Sequence, residues 1–223
     1  EGSITPMTLS GFANMKALSK NNDNPQGASR PFDKKRDGFI LSEGAGFVFL
    51  EEMKHALDRG ANILGEISGY GITNDAFHIT QPHSEAVGAI SAIKMALDDS
   101  DLNENDIDYI NAHGTSTYFN DMLETKAIKK SFRNKAYDIS ISSTKSMTGH
   151  LLGAAGAIEA IICLNSIKEG IIPPTINLNN KDEDCDLDYT PNKAVEKNVI
   201  NTMSNSFGFG GHNSVIIIKK FSS

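Results

Sequence analysis

The 223-residue chain has two cysteines, Cys163 and Cys185, and no Cys-x-x-Cys spacing, which argues against a disulfide framework or a zinc site and favours a reducing compartment. Its longest apolar stretches, such as "VIIIKKF" and "AIEAIICL", fall far short of the roughly 20 residues that span a bilayer, so no membrane partner is expected. Basic residues are scarce: 21 Lys and Arg face 28 Asp and Glu, a net charge of −7 that excludes a general nucleic-acid binder. "DKKRDG" at 33–38 is the one compact basic cluster and reads as a solvated turn. The opening "EGSITPMTLSGF" has neither the basic start nor the apolar middle of a signal peptide. An apolar share of 39% is that of an ordinary globule with a sizeable core.

Periodicity supplies the elements. "TPMTLSGFANMKALSK" reads as a helix entered through Pro6. "GFILSEGAGFVFLEE" and "ILGEISGYGITN" suit two neighbouring strands joined by the helix "MKHALDRG". Ser84 to Asp99 is a helix with Ser84 as its cap and Val87, Ile90, Ile93 and Leu97 on one face. "DIDYINAH" is a buried strand, "NDMLETKAIKKSF" a helix, and "ISISSTKS" a strand. Thr148 to Lys168 reads as one long helix, and "INTMSNSFGFGGHNSVIIIKKF" as two strands around a glycine-rich bend. Residues 179–188 form a solvated loop. Alternating strands and helices predict an α/β sheet with covered faces.

Three polar clusters interrupt this pattern. "STKSMTGHLLGAAGAIEA", residues 143–160, has its lysine ahead of its glycines, the wrong order for a phosphate-binding loop, which leaves helix packing or half of an active site. "INAHGTSTYFND" places a histidine and three hydroxyl residues at the end of an apolar strand, where functional groups of α/β sheets collect. Thr115 and Thr117, at alternate positions, face one side of an extended segment. "NSFGFGG" supplies the third loop, and together the three read as one converging pocket.

These clusters carry a family resemblance. "NAHGTST" followed by Asp121 and Glu124, then "STKSMTGHLLGAAGAIEA", then "MSNSFGFGG", resemble the β-ketoacyl-acyl carrier protein synthases, the elongating ketosynthases with a Cys-His-His active site. "DNPQGASRPFDKKRDGFILSEGAG" and "DAFHITQP" extend the match over nearly the whole chain. The resemblance implies a thiolase-like α/β/α/β/α layered sandwich with mixed five-stranded sheets, of which only the carboxyl-terminal half to two-thirds is present: residues 1–70 would end the first half and 71–223 form the second. It implies a decarboxylative Claisen condensation in fatty acid elongation, with a nucleophilic cysteine that is neither Cys163 nor Cys185. A non-catalytic ketosynthase-like dimer partner and a thiolase are the rival readings.

By the same resemblance, His113 and His150 are the catalytic histidines. A place at the start of a long helix would help keep His150 neutral. Lys145 is the active-site lysine with Glu124 as its acidic companion, and Phe209 gates the acyl pocket. Thr115 and Thr117 hydrogen-bond the pantetheine arm of the carrier, although capping of the next helix competes for Thr117. Phe207 joins them in binding substrate, and Asp75 and Thr80 contact the gate from a neighbouring loop. No cofactor is required. Asn111, Glu124, Glu159, Ser204 and Asn205 match positions around a buried monovalent or divalent cation in some relatives, a structural ion for which oxygen ligands are suited. Expected partners are an acyl carrier protein, met in part by Lys34, Lys35 and Arg36, and a second copy of the subunit. A bacterial cytoplasm and a plastid-type organelle are both open as its location. Tyr118 stands where the family pattern has Pro, and His212 and Ser214 where it has Thr and Gly.

Overall fold

The computed structural model describes residues 2–222. Helix α1, Pro6–Asn14, starts where Thr5 Oγ1 accepts the Thr8 N–H, with proline in the first turn where its missing N–H costs nothing. After it come α2 (Met53–Asp58), β1 (Glu66–Asn74), α3 (Val87–Asp99), β2 (Tyr109–Asn111), α4 (Tyr118–Phe132), β3 (Ser140–Ser142), α5 (Lys145–Thr148) and α6 (Ala155–Glu169). The short pair β4 (Ile171–Ile172) and β5 (Val195–Glu196) and the hairpin β6 (Asn201–Gly208) and β7 (His212–Lys219) complete the chain.

Five strands form one mixed sheet in the order β1-β7-β6-β2-β3. β1, β7 and β6 are antiparallel neighbours, whereas β6, β2 and β3 run parallel. Helices cover both faces, as the alternating pattern predicts. On one side Ile93 and Ala96 of α3 and Ile128 and Phe132 of α4 pack on Ile110, Met203 and Ile217. On the other, Ala160, Cys163 and Ile167 of α6 meet Tyr109 and Ile218. Among the described residues the sheets are one of five strands, mixed as expected, and one of two.

Four sequence expectations change. Residues 38–52 form no strand: Leu41 bridges His150, and beyond it Phe47 is 87% and Phe49 98% exposed. An extended segment needs a neighbour for its backbone groups, and past Leu41 none of the described strands lies alongside it. Helix α3 begins at Val87 with no side-chain cap, so Ser84 does not cap it; Val87 is exposed, and the buried stripe runs through Ala89, Ala92, Ile93, Ala96 and Leu97. The long helix from Thr148 is broken, because Gly149 takes a left-handed φ of 70° and the chain re-enters helix only at Ala155. Arg36 lies buried beside Asp121 and Asp182, and so stands in an ion-pair cluster and not on a solvated turn.

The loop 179–188 is solvated at Asp184 and Asp186 but sinks Cys185 and Leu187 into the core. The 70/71 division falls inside β1, a single strand paired with β7 on both sides of a bulge at Ser68.

Candidate active site

The parallel strands deliver the site. The turn after β2 carries His113, Gly114 and Thr115, and the turn after β3 carries Lys145 and His150. The β6–β7 bend carries Phe209. All three loops open on one cavity of about 770 Å³, which His113, Thr115, Thr117, His150, Phe207 and Phe209 help to line. Asp75, Thr80 and Glu124 border it too.

The imidazoles of His113 and His150 lie edge to face, ring centroids 5.4 Å apart and planes at 83°. His150 is held from both sides of its backbone: its N–H donates to the Ile40 carbonyl at 2.7 Å, and its own carbonyl accepts from Ser42 at 3.0 Å. Phe39 packs its ring edge-on against the imidazole. His150 Nδ1 accepts the Leu152 N–H at 3.2 Å, which places the ring's single proton on Nε2. Nδ1 of His113 is sealed from solvent without a partner among the described residues, which leaves Nε2 as its accessible nitrogen.

Both rings are held neutral. Burial, then the nearby Lys145 ammonium, pushes His150 down to about 3, and burial, Lys145 and His150 in that order hold His113 well below the usual range. The expected helix-dipole cause is secondary: α6 starts five positions beyond His150, and a short 3₁₀ turn at Leu152–Ala154 contributes only the one N–H to the ring.

Lys145 is buried, and its ammonium pairs with Glu159 of α6, not with Glu124. The packing of α6 against β6 brings Glu159 to the lysine, a contact that sequence spacing does not announce. Glu124 instead serves the backbone, its carboxylate accepting the N–H groups of His113 at 2.9 Å and Gly114 at 2.8 Å, and the Asn205 amide at 3.0 Å. It therefore shapes the turn that presents His113. Burial raises its carboxyl to about 7.

Thr115 and Thr117 hydroxyls sit 2.9 Å apart on the cavity wall. Thr117 makes no capping bond to α4, so the capping alternative is not realised. Phe209 stands half-exposed between Gly208 and the left-handed Gly210 and Gly211, with φ of 80° and 78°. The neighbouring loop clamps this bend: Gly210 N–H donates to the Ile79 carbonyl and Asp75 N–H to the Gly211 carbonyl. Asp75 is fixed in turn by Asn213 and the His83 N–H, each at 2.8 Å. Thr80 bonds to His78. His212, one of the departures, sits at the cavity edge within 3.4 Å of Asn74.

Cys163 and Cys185 lie in the two cores, outside the cavity lining, and burial pushes both thiols up to about 12. Neither has the lowered pKa and access of a nucleophile.

Among the described residues no group of three or more His, Cys, Asp or Glu could hold a metal ion. The Asn- and Ser-rich cation set is of another kind. Three of its oxygens, Asn111 Oδ1, Asn205 Oδ1 and Glu159 Oε2, are buried with no hydrogen-bond partner among the described residues, and strand register sets Asn111 opposite Ser204. Unpaired buried oxygens are the donors a hard cation takes, so these residues fit one.

Sequence reasoning missed the parts played by Leu152, Ile40, Ser42 and Phe39 around His150. Three of these act through backbone atoms, which carry no residue signature.

Known proteins resemble this chain in both sequence and fold. Residues 1–56 match the family model for the β-ketoacyl synthase N-terminal domain and residues 64–179 that for the β-ketoacyl synthase C-terminal domain. The chain is 55% identical over 221 residues to 3-oxoacyl-[acyl-carrier-protein] synthase 2 of Synechocystis and 52% identical over 220 residues to that of Coxiella burnetii, 99% of this chain in each case. It spans 53% of those proteins' length. Among solved structures, a ketosynthase in complex with its type II polyketide acyl-carrier protein superposes with a TM-score of 0.97 at 39% identity, over all of this chain and 55% of that one. A β-ketoacyl synthase from Burkholderia phymatum superposes at 0.91 with 39% identity, over 98% and 53%. With both domain models matched in order and two imidazoles converging in the cavity between their loops, the chain belongs to the β-ketoacyl synthase family.

Proposed function

We propose that the full-length protein joins an acyl thioester to malonyl-acyl carrier protein by decarboxylative Claisen condensation, giving a 3-oxoacyl-acyl carrier protein. The observation that carries this reading is the pair of neutral, edge-to-face imidazoles in one cavity. When the malonyl carbon–carbon bond breaks, carbon dioxide leaves and its electron pair becomes an enolate whose oxygen carries the charge. Two N–H donors preorganised in a buried site stabilise that oxygen at no cost in reorganisation. Imidazolium would be a poorer choice here, since it could lose its proton to the enolate and quench the carbon nucleophile.

The enolate carbon then attacks an acyl group held on a cysteine thiolate, which departs as the new carbon–carbon bond forms. Cys163 and Cys185 are buried away from the cavity, so that cysteine comes from the part of the relatives beyond the matched span. Lys145, Glu159 and Glu124 fix the two histidine loops, Thr115 and Thr117 receive the carrier's arm, and Phe209 gates the acyl side. A structural cation at the Asn111–Asn205 cluster, an acyl carrier protein partner, a homodimer and a cytoplasmic setting belong to the same reading. Arg36 is too deeply paired to meet the carrier; Lys34 and Lys35 are exposed and free to do so.

The test is malonyl decarboxylation by the full-length protein. His113→Ala or His150→Ala should lower carbon dioxide release by about 10²-fold or more, the scale of one lost oxyanion donor, with circular dichroism unchanged. Undiminished release in both variants overturns the reading.

A further inference from the structure

The segment from His113 to Phe119 runs along the cavity wall from its floor to its rim. His113 and Thr115 are each 6% exposed, whereas Tyr118 and Phe119 are 49% and 56% exposed, and all four line the same cavity. The two aromatic rings meet edge to face, centroids 5.5 Å apart. Tyr118 is one of the departures from the family pattern, and it is not a loose surface side chain. Its hydroxyl donates to Asp184 at 3.1 Å, and the Arg36 guanidinium lies over its ring at 5.1 Å. Arg36 is itself fixed by Asp121 and Asp182 and donates to the Tyr118 carbonyl at 3.2 Å. A ring already immobilised loses little entropy when a ligand packs on it.

We infer that Tyr118 and Phe119 form an aromatic lip that grips the carrier-linked arm of the donor thioester as it passes from the rim to His113. The inference rests on the condensing reading above, because only a substrate reacting at the buried imidazoles and tethered outside must cross this rim. Thr115 and Thr117 offer hydroxyls to the arm's amides, and the lip offers apolar faces to its methyl and methylene groups. The lip sets how well a long tethered donor binds, and it leaves the chemistry at the floor untouched.

The experiment compares two donors with the full-length protein: malonyl-acyl carrier protein, and malonyl N-acetylcysteamine, which keeps only the thiol end of the arm. Tyr118→Ala and Phe119→Ala should each raise KM for the carrier-linked donor about fivefold, the scale of one lost aromatic contact, at unchanged kcat. Both should leave turnover of the short thioester as it was. Tyr118→Phe, which keeps the ring and its stack under Arg36, should restore KM to near the unsubstituted value. Equal changes with both donors, or none with either, overturn the lip. An unsubstituted protein that decarboxylates neither donor overturns the condensing reading itself, and so distinguishes that failure from failure of the lip alone.

Discussion

Leu152 donates its backbone N–H to Nδ1 of His150 at 3.2 Å. A nitrogen that accepts cannot carry the proton of a neutral ring, so this single bond selects the Nε2–H tautomer and turns a donor toward the cavity. Burial and the Lys145 charge reinforce it by disfavouring the doubly protonated ring.

The first consequence is a pH dependence of stability. Unfolded His150 takes up a proton near pH 6.5, whereas in the fold it resists protonation down to about 3. Between these values the unfolded chain binds more protons, so His150's contribution to stability falls as pH drops through that window. At pH 5 the loss is about 2 kcal/mol, one and a half units below the unfolded value. Urea unfolding at pH 7 and pH 5 should show a smaller acid penalty in His150→Asn than in the unsubstituted protein. An equal penalty in both would refute the depressed ionisation.

Lys145 and Glu159 form a buried ion pair whose members are each almost wholly shielded. Removing one partner strands the other, which costs about 3–5 kcal/mol in such settings. Lys145→Met should therefore unfold at a much lower urea midpoint, and the double substitution Lys145→Met with Glu159→Leu should recover part of the loss. The single change also removes a positive charge beside the histidines. The ionisation of His150, followed by nuclear magnetic resonance, should move upward from about 3.

The orphan oxygens of Asn111, Asn205 and Glu159 predict a response to cations. A cation that binds only the folded state raises stability with its concentration, by about 2.7 kcal/mol at a hundred times its Kd. After exhaustive dialysis, thermal unfolding temperature should climb as potassium, sodium or calcium is added, and Asn205→Ala should flatten the curve. A dialysed protein indifferent to all three ions would remove the cation from this site.

Much of the site was legible along the chain because its parts are local. The apolar stretch "DIDYINAH" leads through the shorter strand β2, Tyr109–Asn111, to His113, and the run to Thr117 follows that strand's carboxyl end as α/β sheets require. The hairpin around "SFGFGG" formed where glycines permit its bend, with Gly210 and Gly211 both left-handed. Periodicity also placed α4 and the helical run of α6. It misjudged 38–52, since an apolar run has strand potential but becomes a strand only beside a partner. It overran Gly149, which closes α5, because nothing in the local sequence shows that His150 is pinned to Ile40 and Ser42.

The order of the motifs, the alternation of strands and helices, and the residue types at the three loops were determined by the sequence by itself, because side-chain periodicity and turn chemistry act between near neighbours. Only the tertiary structure decided that Lys145 pairs with Glu159, that Glu124 instead buttresses the His113 turn, and that Arg36 is buried under Tyr118. These are contacts between different elements, 10 to 14 residues apart for the two glutamates and 82 for Arg36. Their partners are chosen by which faces the sheet and helices bring together, and by the cost of leaving a buried charge or backbone N–H unpaired.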